Sequence, residues 1–141
     1  MVLNSLVLHI HFICACTMFG LILIIQFVHY PSFKSIEKSK FRAFHSFHSK
    51  SISLIVVPIM TTEFLTGLAL MFNQSFFFYL NFFLIVCVWG VTFFVSVPNH
   101  NRLSSGYKEA YVESLIYTNW FRTAIWSTKV LLLLFIYTSQ Y

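Results

Sequence analysis

Residues 41–72 read FRAFHSFHSKSISLIVVPIMTTEFLTGLALMF, and the reading of this stretch decides the fold. It opens as a basic, histidine-bearing amphipathic segment and runs on into an apolar span with Glu63 near its middle. A carboxylate with about ten apolar or small residues on each side does not sit in hydrocarbon unless it is protonated, paired or turned to a polar cavity. Glu63 therefore marks the interior of a bundle.

Working outward, 58% hydrophobic and 9% charged residues place the 141-residue chain outside the range of soluble globular proteins. Four apolar runs, residues 6–28, 51–72, 76–97 and 120–137, are each long enough to cross a bilayer as a helix. The chain length, with four spans that exhaust it, predicts a single domain, residues 1–141, folded as an all-α up-and-down four-helix bundle with short interfacial helices on the cytoplasmic side.

The formal charge of +5 follows topology and does not mark a nucleic-acid-binding face. Lys34, Lys38, Lys40, Arg42 and Lys50 lie between the first two spans, and Arg102 and Lys108 between the last two. By the positive-inside rule both termini face outward and loops 29–50 and 98–119 face the cytoplasm of an inner-membrane-type bilayer. The first span lacks a basic n-region and is too long for a signal-peptide core, so it is read as retained. Cys14, Cys16 and Cys87 fall in spans on different faces and read as small apolar filler, not as a disulfide framework.

Polar residues concentrate at particular depths. The first span carries His9 and His11 near the outer surface, Gly20 as a close-packing position, Gln26, His29 and Tyr30 near the basic end, and Pro31 as its terminator. Gln26 shares a helical face with His29 and Tyr30. Phe41, Phe44, His45 and His48 follow the i, i+3, i+4, i+7 rule, so both histidines face inward. His45 and Glu63 return to one azimuth about 27 Å apart, which predicts a shared vertical cleft if the helix continues through a kink at Pro58.

The third span carries a mildly polar stripe, Trp89, Thr92, Ser96 and Asn99, and ends at Pro98, followed by His100. Residues 107–118 read as an interfacial helix with Glu109 and Glu113 facing water. Asn119, Arg122, Trp126 and Lys129 form one seam of the fourth span, and Lys129 lies at about the depth of Glu63. No internal repeat is evident.

Two layers are expected. Glu63 pairs with Lys129 at midplane, either as a register device or as part of a relay. Nearer the cytoplasm, His29, His45 and His48 are candidate bases or metal ligands, with Arg122 and Asn119 as anion stabilisers. Gln26, Tyr30, Asn99, His100 and Trp126 complete the pocket. Such a site suits a phenolic or quinone-like molecule entering from lipid.

VPNHNRL after the third span and NWFRTAIW at the start of the fourth resemble the Pro-x-Asn-x-x-Leu and Trp-x-x-Arg-Thr patterns of the anthrone-oxygenase-like family of small four-helix membrane proteins. The resemblance implies Pro98, Asn99, Asn101, Leu103, Trp120, Arg122 and Thr123 as defining positions, and cofactor-independent oxygenation of a polycyclic phenol as the activity. The basic, histidine-rich first connection departs from that pattern. A second likeness, through LHIHF, FVHY and Lys129, is to small membrane protoporphyrinogen oxidases, and implies haem b with His9 as the haem-associated histidine. The sequence thus points to an oxidoreductase or oxygenase acting on a lipophilic aromatic, with a haem-binding enzyme, a proton- or solute-translocating protein and a non-catalytic assembly subunit as alternatives. Its expected partners are membrane lipid and a lipophilic small molecule, with no nucleic acid; a homo-oligomer is compatible with the sequence.

Overall fold

A computed structural model describes residues 2–140. The described chain is all helical: α1 (Val2–Ile24), α2 (Tyr30–Ser32), α3 (Lys38–Met71), α4 (Phe76–Val91), α5 (Val97–Leu103) and α6 (Glu109–Gln140), joined in places by π- and 3-10 turns. These pieces make four rods, Ser5–Ser35, Lys38–Met71, Phe76–Leu103 and Glu109–Ser139, each long and apolar enough to cross a membrane. The protein is a multi-pass membrane protein.

The rods stand in a square, packing first on second, second on third, third on fourth and fourth on first. Apolar association gives little net drive between helices when lipid is the alternative solvent, so packing and polar ties between rods carry the assembly. Two ties cross the diagonals. Glu63 of α3 meets Lys129 of α6, and His11 of α1 meets Asn81 of α4. Apolar clusters flank the Glu63–Lys129 level, one around Ile22, Phe33, Phe41, Met60 and Trp126, the other around Leu8, Leu70, Phe78 and Leu133.

The two prolines expected to end spans do something else. The first rod loosens into a π-turn, Ile25–His29, in which the Tyr30 N–H bonds to the Ile25 carbonyl, and helix then resumes through Pro31 to Ser35. The third rod repeats this, with a π-turn at Thr92–Ser96, a Val97 N–H bond to the Thr92 carbonyl, and α5 continuing through Pro98. Proline clashes with the carbonyl four residues back and offers it no hydrogen. An i→i+5 turn placed just before it lets the rod proceed. Both sites share the pattern Phe-Val-x-x-Pro, FVHYP at 27–31 and FVSVP at 94–98, a short repeat that hydropathy alone conceals.

Other expectations shift in detail. The basic segment and the second span are one helix, and it runs through Pro58 without interruption. Residues 109–118 are the opening turns of α6, not a separate interfacial helix. Gly20 has open space where a Cβ would be; the close-packed glycine is Gly67, where a Cβ would run into Ile85 and lie 3.2 Å from His11. Gly106, at φ 140°, makes the turn before α6 with a backbone that L side chains avoid.

At the basic end five exposed cations are held locally. Lys34 pairs with Glu113 at 3.1 Å, Lys38 lies over Tyr107, and Arg102 and Lys108 over Tyr111. Glu37, just ahead of α3, accepts from the Ser39 hydroxyl and pairs with Lys40, which together hold its carboxyl below the usual carboxylate range.

Candidate functional site

The predicted residues divide into two polar levels. At the lower one the Lys129 ammonium lies 2.5 Å from Glu63 Oε1, the Trp126 indole N–H donates to Oε2 at 3.3 Å, and Glu63 and Lys129 are both fully buried. Beside them, the Thr66 hydroxyl donates to the Thr62 carbonyl and so accepts from His11 Nδ1 at 2.8 Å. Asn81 then donates to His11 Nε2 at 2.9 Å. His11 is thus held through both ring nitrogens, by α3 on one side and α4 on the other. Both carboxylate oxygens of Glu63 and both nitrogens of His11 are occupied by protein, and none of these residues borders a cavity near the histidines. Neither of the two cavities at the histidine level reaches Glu63, whose carboxylate is taken up by Lys129 and Trp126.

The upper level, at the basic end, is different. A cavity of about 320 Å³ lies between the first three rods, with Arg122 reaching in from the fourth. Its body is Ile25, Val56, Met60, Trp89 and Phe93, and it opens sideways past Val57, Phe93 and Val97, all exposed on the lipid-facing surface. Both π-turns contribute, Ile25 from one and Thr92, Phe93 and Ser96 from the other. Its polar end is formed by Tyr30, His48, His100 and Arg122.

These four groups are arranged for ligand chemistry. Tyr30 Oη lies 3.0 Å from His100 Nε2, and His100 Nδ1 lies 3.0 Å from His45 Nε2. The result is an unbroken chain from the cavity, through three rods, to His45. His48 faces the cavity with no hydrogen bond to another described residue, its ring 4.0 Å from that of His29. Arg122 is buried against Tyr30 and over the Trp126 ring, and no carboxylate pairs with it among the described residues. Its Nε lacks any partner. A buried guanidinium facing no anion is costly to maintain and is the usual mark of a place where negative charge arrives or develops.

The remaining predicted residues stand behind this wall. Asn119 donates to Gln26 at 2.9 Å and accepts from Arg122 at 3.4 Å, and Gln26 donates to the Ile116 carbonyl, so Asn119 and Gln26 aim the guanidinium but do not line the cavity. Gln26 and Tyr30 go to different partners despite their i, i+4 spacing, since the intervening π-turn departs from α register. Asn99 donates to Ser114 and braces α5 on α6. His29 backs His48, and its Nε2 has no partner. Trp126, Glu63 and Lys129 belong to the lower level.

Three lining residues escape a reading of the sequence as site residues. Trp89 presents an indole Nε1 without a partner, and Thr92 and Ser96 supply hydroxyls. Their stripe was visible, but the π-turn that carries Thr92 and Ser96 to the cavity was not. His11, Asn81 and Thr66 were likewise missed, because their partners come from other rods.

The residues do not fit haem at His9. Its Nδ1 donates to the Ser5 carbonyl at 2.6 Å and its Nε2 accepts from Tyr137 at 2.8 Å, leaving no free nitrogen for iron. Among the described residues no three His, Cys, Asp or Glu side chains converge on a metal site, the histidine layer included. Its imidazoles stack and hydrogen-bond with one another. Comparison with known proteins returns no match: no family model, no curated protein and no solved structure is similar to the chain.

Proposed function

We propose that the cavity binds a lipophilic compound with a phenolic or quinone-like head, drawn from the bilayer, and that the protein is an oxidoreductase or oxygenase acting on that head. The observation that carries this is the combination of an apolar, laterally open cavity with a buried, anion-free guanidinium at its polar end. An apolar body with a few convergent polar groups is the general form of a small-molecule site.

The chain's own residues supply binding and proton removal. The ring and tail of the ligand lie against Val56, Met60, Trp89 and Phe93, and its hydroxyl meets Tyr30, His48 and Arg122. Arg122 stabilises the phenolate as it forms. The proton passes to His48, or to Tyr30 as Tyr30 passes its own to His100 Nε2 and His100 passes its Nδ1 proton to His45 Nε2, which leaves the phenolate balanced by a protonated His45. A phenolate is the electron-rich form that an oxidant or dioxygen attacks.

The resemblance to anthrone oxygenases agrees with this reading at specific positions. Arg122 is the cation of the site, Asn99 and the fully buried Leu103 seat α5, and Pro98 follows the π-turn that shapes the cavity. A cytoplasmic basic end, outward termini and an inner-membrane location complete the proposal, on the strength of the lysine and arginine bias. A transmembrane relay is less well supported, since the Glu63–Lys129 pair is closed and borders no cavity near the histidine chain.

The test is binding of para-decylphenol to the detergent-purified protein, followed by tryptophan fluorescence. Arg122→Gln and His48→Ala should each weaken binding about tenfold or more, corresponding to about 1.4 kcal/mol. Binding that is the same in both variants as in the parent would refute the proposal.

A further inference from the structure

A second, open cavity of about 530 Å³ adjoins the first at the basic end, and Ile52, Ser53, Val97 and His100 form the wall common to both. Its chemistry is the opposite of its neighbour's. Arg42 and Lys50 line it, together with His45, Ser46, Ser49 and Asn101, and no aspartate or glutamate does. Neither cation forms an ion pair among the described residues, although other exposed lysines at this end, Lys34 and Lys40, do.

Donors remain unused here. Ser53 and Ser104 spend their hydroxyls on backbone carbonyls, but the buried Ser49 Oγ has no partner. His45 is almost wholly buried, and its Nδ1 has no partner either. The histidine chain sets what that nitrogen presents. With Tyr30 donating to His100 Nε2, His100 Nδ1 donates to His45 Nε2, and His45 then carries its own proton on the buried Nδ1. Two unpaired cations, with the exposed Ser46 and Asn101 beside them and no carboxylate opposing them, form a site for a multivalent oxyanion.

We propose that this groove is an oxyanion subsite that takes the phosphate of an amphiphile whose apolar body lies in the adjoining lipid-facing cavity. The proposal rests on the reading of that cavity as a ligand site and adds the charge class of the ligand. The shared wall supplies the continuity: one molecule spans both spaces by passing His100 and Ser53.

Binding of dodecyl phosphate, dodecanol and inorganic phosphate to the protein in maltoside micelles tests this, with para-decylphenol as the control for the cavity. Dodecyl phosphate is expected to bind at least tenfold more tightly than dodecanol. The Arg42→Gln, Lys50→Gln double variant should erase that advantage and leave para-decylphenol binding unchanged, which also shows that the variant is folded. Equal affinity for dodecyl phosphate and dodecanol, or an advantage that survives the double variant, would overturn the subsite while para-decylphenol still binds. Inorganic phosphate binding as tightly as dodecyl phosphate would overturn the amphiphile and make the groove a free-anion site. Failure of para-decylphenol itself would instead strike the reading of the cavity.

Discussion

Glu63 and Arg122 are both buried and charged, yet their surroundings assign them opposite roles. Glu63 has Lys129 on one oxygen and Trp126 on the other, so its charge is spent inside the protein. Removing one member of such a pair strands the other, which costs about 3–5 kcal/mol, whereas replacing both with apolar groups is close to neutral. Lys129→Met should therefore destabilise the protein strongly, and Glu63→Leu with Lys129→Met should recover most of the loss. Unfolding in mixed micelles reads this, and a double variant no better than the single one would show that the pair does more than fix register. Arg122 has amide, phenol and indole neighbours and no carboxylate among the described residues, and on the proposal above its charge meets the ligand. Sequence spacing exposed the Glu63–Lys129 pairing, since opposite charges at equal depth in a bundle have few places to go. It could not show that Arg122 lacks an acid, because that depends on where Glu109, Glu113 and Glu37 end up. All three are exposed at the surface.

Helices and turns convert the apolar pattern into a cavity. A four-span bundle was legible from hydropathy, as four runs separated by polar connections admit little else. The two π-turns were not, because they arise from a conflict between Pro31 or Pro98 and the carbonyls before them, and hydropathy carries no trace of backbone geometry. Their effect is local widening at Ile25 and at Thr92–Ser96, on the wall of the cavity. Pro98→Ala should let the third rod close toward regular α-helix, shrinking the cavity and weakening para-decylphenol binding with little loss of stability. Unchanged affinity would separate the π-turn from the site. Gly67 acts at the other level, where α3 approaches α1 and α4. Gly67→Ala should cost about 1–3 kcal/mol, as overpacking of a tight contact does, and lower the midpoint of thermal unfolding. Gly20→Ala, with open space at the Cβ position, should be neutral in the same measurement.

Taken as a whole, the molecule is polar along its axis but divided. The closed level of Glu63, Lys129, His11 and Asn81 braces both diagonals, and the open level of Tyr30, His48, His100 and Arg122 faces a cavity at the basic end. Fusion of a reporter that is active only outside the cytoplasm to residue 141 should give activity, and the same reporter inserted at residue 106 should give none. The reverse result would place the basic end outside.

On the proposal above, the cavity holds a phenol and favours its anion. The direct measurement is the absorbance titration of a bound ortho-nitro-para-decylphenol. Bound to the protein, the probe should ionise at least one pH unit below its midpoint in empty micelles, a preference of about 1.4 kcal/mol for the anion, and Arg122→Gln should abolish the shift. A midpoint equal to that in empty micelles, or a shift that Arg122→Gln leaves intact, would contradict it.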